Sequence, residues 1–265
     1  MAEGRTAPVG IFDSGVGGLS VWREIARELP AESTIYVADQ AHLPYGPRPA
    51  DEVRAFAEAI TAHLIGMGCK AIVVACNTAS AAALKALRER HPEIPFVGME
   101  PAIKPAAQHS PSKIVGVMAT AGTLQGRMFA LAVERFAAGV TLVNQPCPGL
   151  VERIEAGELD TPATEALLRE LLAPMLRAGI DTLVLACTHY PFVQPLIRKI
   201  VGDRVLIVDP APAVTRQLAR LLDQRGVRAP ESTRATHRFM TSGEPAAMQR
   251  ALRSLVGIDA EVGRF

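Results

Sequence analysis

Short runs of Val, Ile and Leu alternate along this chain with longer stretches in which apolar residues recur at helical spacing. The short runs predict strands at Pro8–Phe12, Thr34–Val37, Ala71–Ala75, Lys113–Met118, Thr141–Val143, Thr182–Ala186, Arg204–Val208 and His237–Met240. The longer stretches predict helices at Leu19–Glu28, Ala50–Met67, Ser80–Arg90, Gln125–Ala138, Thr161–Arg177, Pro191–Ile200, Ala213–Arg225 and Pro245–Leu255. Strands that alternate with helices in this way predict an α/β fold with mostly parallel sheets.

The pattern also repeats. Ile72–Thr78 parallels Leu183–His189, which places Cys76 and Cys187 in register at an offset of 111 residues. Downstream, Glu100-Pro101-Ala102 parallels Asp209-Pro210-Ala211 at an offset of 109, and upstream Val9–Ser14 parallels Val115–Thr120 at an offset of 106. Three ordered matches at nearly constant offset predict two pseudo-symmetric α/β domains whose equivalent loops face one another. The period is far longer than that of a solenoid, so this is a duplication rather than an array.

Length, charge and cysteine content narrow the function. A chain of 265 residues can bury a sizeable core, and 49% hydrophobic with 21% charged residues is a globular composition. A net charge of +1 without a Lys/Arg block gives no footprint for direct nucleic-acid binding. No apolar run reaches the roughly 18–20 residues that span a bilayer, and Met1–Phe12 lacks the apolar stretch of a secretory signal. A cytoplasmic protein without membrane attachment is expected, with Cys69, Cys76, Cys147 and Cys187 as free thiols.

Cys76 and Cys187 each follow an apolar strand and precede a helix. In parallel α/β sheets, ligands bind in the crevice beyond the carboxyl ends of the strands, where helix N-termini also point. A thiol in that field is expected to have a lowered pKa. A strand-end cysteine can equally be a small buried hydrophobe, but a thiol at the same place in both repeats favours chemistry. Two facing thiols suit inversion of a carbon stereocentre, with a base on one face, an acid on the other, and roles that swap in reverse. A cysteine hydrolase needs one thiol and a base. A redox pair is more often Cys-x-x-Cys, and the ligand spacing of zinc fingers or ribbons is missing.

Other residues gather around the two thiols in sequence. Asp13 and Ser14 stand at a strand end, and the glycine-rich turn from Gly15 to Gly18 serves either an anion or the tight turn itself. Asp13 is alternatively a helix cap, as are Asn77, Thr78, Thr120 and Thr188, which otherwise offer neutral groups for an amino acid's carboxylates and amine. His189 is placed to tune Cys187 or to carry a proton. Pro44-Tyr45-Gly46 is a rigid turn or a lip over the ligand. Cys69 is expected in the core, and Cys147 in a loop.

Gly10-Ile-Phe-Asp-Ser-Gly-Val-Gly-Gly-Leu19, Pro44-Tyr-Gly-Pro-Arg48, Ala75-Cys-Asn-Thr-Ala79 and Ala186-Cys-Thr-His-Tyr-Pro191 together closely resemble the glutamate racemases, and the similarity extends from about residue 8 to Thr241–Pro245. The resemblance implies interconversion of L- and D-glutamate without pyridoxal phosphate or another cofactor, and without a metal, to supply D-glutamate for peptidoglycan. It implies two α/β domains with the active site between them, residues 98–211 being inserted between 1–97 and 212–265. It implies that Cys76 takes the proton from D-glutamate, assisted by Asp13, and that Cys187 takes it from L-glutamate, assisted by His189. Glu155 falls where the family places a further active-site glutamate, whereas its own surroundings in sequence suggest a solvated helix carboxylate. Substrate contacts are expected from Asp13, Ser14, Pro44, Tyr45, Gly46, Cys76, Asn77, Thr78, Thr120, Cys187, Thr188 and His189. With no Arg or Lys in these motifs, backbone N–H groups of the Asp13–Gly18 and Cys76–Thr78 turns, with Thr188, are expected to hold the carboxylates.

A homodimer and a secondary contact with DNA gyrase are further implications of the resemblance, and racemisation of aspartate is the sister activity. The chain departs from the family at Ala38-Asp39-Gln40, where a Gly-Asp-Thr-type segment is usual. That departure touches neither cysteine and is expected to leave the activity intact.

Overall fold

The computed structural model describes residues 2–265 and contains two all-parallel sheets. The strands are β1 Val9–Asp13, β2 Thr34–Ala38, β3 Ala71–Val74, β4 Phe96–Gly98, β5 Ile114–Ala119, β6 Thr141–Pro146, β7 Thr182–Ala186, β8 Leu206–Val208, β9 His237–Thr241 and β10 Val262–Arg264. One sheet has the order β10-β9-β2-β1-β3-β4 and the other β6-β5-β7-β8. The four-stranded order β2-β1-β3-β4 recurs as β6-β5-β7-β8, so the sequence repeat is also a repeat of topology. Strands β9 and β10 extend the first sheet beyond β2, bringing the end of the chain back beside its beginning.

Strands β1, β2, β3 and β7 are buried at every position. That matches their unbroken apolar runs, because helices cover both faces of a parallel sheet. Helix Leu19–Glu28 turns Leu19, Trp22 and Ile25 inward at intervals of three residues. Each such side chain contributes about 1.5–3 kcal/mol on full burial. One apolar cluster runs from Val9 and Ile11 of β1 through Leu183 and Leu185 of β7 to Met248 and Leu252, so the two sheets share a core. Cys69 is in the core, where burial pushes its thiol up to about 12. Among the described residues, no helix is long and apolar enough to cross a membrane.

Several elements differ from expectation. The short β4 and β10 and helices Ile103–His109 and Leu150–Glu155 lie outside the expected set. The expected helix Gln125–Ala138 is two helices, Ala121–Gln125 and Arg127–Phe136, separated by Gly126 in an extended conformation. The expected helix at Ser80 begins earlier, at Asn77, with Cys76 itself as its N-cap. The stretch after His189 forms a 3-10 turn, Tyr190–Val193, before helix Gln194–Val201. Pro195 sits in that helix's first turn, where its missing N–H costs nothing.

Candidate active site

The carboxyl ends of β1, β3, β5 and β7 converge on a cavity of about 260 Å³. That is just below the ~300–1,000 Å³ of drug-sized sites, a size for a small metabolite. Ser14, Cys76, Asn77, Thr78, Thr120, Cys187, Thr188 and His189 line it, and Pro44, Tyr45 and Gly46 form one lip. The other lip comes from Pro146, Cys147, Pro148, Gly149, Val151 and Glu152. No lysine or arginine is among the lining residues. Thr78 and Thr120 meet across the two sheets, with their hydroxyl oxygens 2.9 Å apart.

The two cysteines are not equivalent in detail. Cys76 caps helix Asn77–Arg90, its sulfur accepting the Ala79 N–H at 3.4 Å and lying 3.9 Å from the Ser14 hydroxyl. Those two groups favour a thiolate, as the sequence pattern suggests. Burial and the Asp13 carboxylate outweigh them, however, and the Cys76 thiol is held well above its ordinary value. The expected low pKa therefore fails for Cys76, because desolvation dominates the helix-end field in a dry site. Cys187 precedes a 3-10 turn rather than an α-helix and takes its polar partner from a side chain, His189 Nδ1 at 3.7 Å.

Asp13 and Glu155 do not line the cavity; they stand one layer behind it. Asp13 is fully buried, accepts the Gly18 N–H at 2.6 Å on Oδ2, and has the Thr188 hydroxyl at 3.4 Å. Burial raises its carboxyl pKa, against the opposing pull of the His189 charge and the Gly18 N–H. Glu155 Oε1 accepts the His189 Nε2–H and the Val16 N–H, each at 2.7 Å. Burial works against its ionisation, yet His189, Val16 and Gln40 together hold its carboxyl below the usual range. For His189, burial opposes protonation, while the hydrogen bonds to Cys187 and Glu155 favour it more strongly. The imidazole pKa is held well above 6.5.

Part of the glycine-rich turn is taken up by these side chains. A Cβ on Gly15 would lie 2.1 Å from Glu155 Oε1, and one on Gly17 would lie 2.3 Å from His189 Nδ1. The Val16 and Gly18 N–H groups are already committed to Glu155 and Asp13. The expected role of the whole Asp13–Gly18 turn as a carboxylate cradle is therefore corrected at those two donors. An unspent group exists elsewhere: both polar atoms of the buried Asn77 amide have no partner among the described residues, and Asn77 lines the cavity. An orphaned amide in a dry site is costly unless a ligand completes it.

Sequence reasoning missed three residues here. Cys147 lines the cavity instead of merely packing in a loop, and burial pushes its thiol up to about 12. Tyr190 is fully buried, and burial followed by the thiols of Cys187 and Cys147 raises its phenol well above its ordinary pKa. Gln40 belongs to the departing Ala38-Asp39-Gln40 segment. It touches neither cysteine, but its Nε2 donates to Glu155 Oε2 at 3.2 Å, and Glu155 holds His189.

Comparison with known proteins agrees with this architecture. Residues 9–218 match the family model described as Asp/Glu/Hydantoin racemase. The chain is 53% identical over 259 residues to a glutamate racemase of Ectopseudomonas mendocina, covering 98% of both. It superposes on a Bacillus anthracis glutamate racemase isoform with a TM-score of 0.91 at 34% identity, covering 98% of both chains. The glutamate racemase of Escherichia coli, solved with L-glutamate and an activator, gives 0.86 at 32% identity, again over 98% of both. By this family match and near-complete coverage, the chain belongs to the Asp/Glu/Hydantoin racemase family and, like its curated relatives, is an isomerase.

Proposed function

We propose that this chain interconverts L- and D-glutamate by moving the α-proton between two thiols, without a cofactor, and so supplies D-glutamate for peptidoglycan in the cytoplasm. The observation that carries the reading is the placement of Cys76 and Cys187 in one small cavity at equivalent ends of two repeated sheets. One sulfur, as thiolate, removes the α-proton from one face of the substrate. The other, as thiol, delivers its proton to the opposite face, and the two sulfurs end with exchanged protonation states. From the resemblance, Cys187 is the base for L-glutamate and Cys76 the base for D-glutamate.

The surroundings suit this division. His189, held protonated by Glu155, sets its Nδ1 3.7 Å from the Cys187 sulfur, and of the charges that bear on the buried Cys76 the Asp13 carboxylate weighs most. The α-proton is weakly acidic, so developing charge on the substrate must meet fixed donors in a water-poor site. With no lysine or arginine in the lining, the Asn77 amide, the hydroxyls of Ser14, Thr78, Thr120 and Thr188, and free backbone N–H groups carry that task beside the His189 imidazolium. The two sheets also support a division into residues 1–97 with 212–265, and 98–211.

Proton NMR in deuterated water with L-glutamate tests the reading. Loss of the α-proton signal with appearance of D-glutamate is expected, and replacing either cysteine by alanine should abolish it. Wild-type racemisation by Cys76→Ala would end the two-thiol mechanism. Exchange of aspartate but not glutamate would move the assignment to the sister activity.

A further inference from the structure

Gln40 does not line the cavity, yet it lies between the candidate site and the far edge of the first sheet. Its side chain spans two partners at once. Oε1 accepts the Thr241 hydroxyl at 2.9 Å, and Nε2 donates to Glu155 Oε2 at 3.2 Å. Thr241 is the last residue of β9, fully buried, and pairs with Ala38 at the end of β2. The 3-10 turn Gln40–His42 is fastened to the same strand end, because the Ala41 N–H donates to the Ser242 hydroxyl and that hydroxyl donates to Asp39 Oδ1. Gln40 therefore projects from a braced turn rather than a free loop.

We propose that Gln40 is a positioning residue, tying Glu155 and through it His189 to the end of β9, so that the imidazole is held against Cys187. The amide suits the task for three reasons. It offers a donor to a carboxylate and an acceptor to a hydroxyl, which neither Ser nor Thr presents at that separation. The two partners also fix its orientation, since a flipped amide would set carbonyl oxygen against carboxylate oxygen. Finally, it occupies the one Glu155 oxygen that His189 and Val16 leave free.

The ionisable groups bearing on His189 come from three elements: Cys187 from the end of β7, Glu155 from helix Leu150–Glu155, and Asp13 from the end of β1. Freeing Oε2 of Glu155 loosens the second of these and lets the carboxylate swing or take up a proton. The imidazolium should then titrate at lower pH. This inference rests on the racemase reading for its catalytic consequence but not for its structural one, and the two are separable.

The test is Gln40→Met, which keeps the length of the side chain and removes both hydrogen bonds. The His189 titration is followed by nitrogen-15 NMR of histidine-labelled protein, and racemisation is measured across pH on the same samples. The expected result is a His189 midpoint lowered by about one pH unit, kcat lowered roughly tenfold, a KM changed less than twofold, and an alkaline limb moved in step with the midpoint. Because the equilibrium constant of a racemisation is one, kcat/KM must fall equally in both directions, so the comparison rests on kcat and the pH profile. An unchanged His189 midpoint in Gln40→Met overturns the proposal. Should that variant fail to fold, Thr241→Val frees the other end of the amide, and its midpoint must fall as well or the proposal is overturned. A lowered midpoint in a protein whose wild type does not racemise glutamate would support the tie and sink the functional reading instead.

Discussion

His189 Nε2 lies 2.7 Å from Glu155 Oε1, and the imidazole is fully enclosed while only a tenth of the carboxylate side chain reaches solvent. A buried pair of this kind keeps both partners ionised only while both are present. The folded-state pKa of His189 is raised, so its contribution to stability is fully present below about 6.5 and is lost as pH rises through the folded value. Glu155→Gln removes the carboxylate, and burial then pulls the imidazole pKa down. Melting temperature should fall with pH above 6.5 in the wild type and fall less steeply in the variant, which keeps the Cys187 contact. Racemisation should drop roughly 10²–10⁴-fold, the usual worth of a general acid–base assembly. A variant with wild-type rate and the same melting profile would remove Glu155 from the site.

Gly17 offers a steric test of the same imidazole. A Cβ there would stand 2.3 Å from His189 Nδ1 and 2.5 Å from Cε1, so the ring must move. Gly17→Ala should cost about 1–3 kcal/mol through overpacking. It should cost more in kcat, roughly 10²-fold, because displacing a positioned group by about 1 Å is enough for that. Thermal melting and racemisation assayed together check it. A loss of stability with no loss of rate would show that the Nδ1 position is not critical.

How much of this site was legible in the sequence depended on how far apart the partners lie. Cys76, Asn77 and Thr78, like Cys187, Thr188 and His189, stand directly at strand ends, where the apolar run that precedes them marks their position. The duplicated topology was legible too, because each repeat carries its own strand, thiol and turn. Glu155 was not. Its helix is a single short element whose Leu150, Val151 and Ile154 face the core, and its partners Val16 and Gln40 are 139 and 115 residues away. Nothing in the local pattern separates such a carboxylate from a solvated one. Gln40 gave no signal for the same reason, and β4 and β10, at three residues each, are too short to show a period. The Cys76 thiol was misjudged because the helix end is visible in sequence while the dryness of the cavity is not.

Asp13 is expected to be costly to keep. Burial raises its carboxyl pKa, so the stability linked to this group is fully present below 3.8 and lost as pH rises through the folded value. At neutral pH the ionised side chain opposes folding. Asp13→Asn should therefore raise the melting temperature by roughly 2–4 °C near pH 7, the effect of about 1 kcal/mol in a chain of this size. The gain should shrink as pH is lowered toward 4, while racemisation is lost by 10²-fold or more. Melting scans at several pH values, with activity measured alongside, check both halves. An unstabilised but inactive variant would show that the Gly18 and Thr188 hydrogen bonds already offset the burial.

Asp181 makes the opposite prediction, far from the chemistry. It precedes β7, at the end of the strands away from the cavity, and gathers the loop that leads into β5. Its Oδ1 accepts the Ser110 hydroxyl at 2.5 Å and the Thr182 hydroxyl at 3.0 Å, and its Oδ2 accepts the Ser112 N–H at 2.5 Å. Burial alone would raise its carboxyl pKa, but these donors outweigh it and bring the value down to about 2. Its contribution is therefore present above about 3.8 and is lost as pH falls through about 2. Asp181→Ala should lower stability by about 1 kcal/mol at neutral pH, the modest worth of a partly solvated clamp. The difference from wild type should narrow below pH 4, where the unfolded chain's carboxylate takes up its proton first, and should be about halved at pH 3. Rates should be unchanged, because the clamp touches neither cysteine nor the His189–Glu155 pair. Chemical denaturation at pH 7 and pH 3, paired with a racemisation assay, separates the outcomes. A gap undiminished at pH 3 would assign the effect to lost packing of Ser110 and Ser112 instead of the charge.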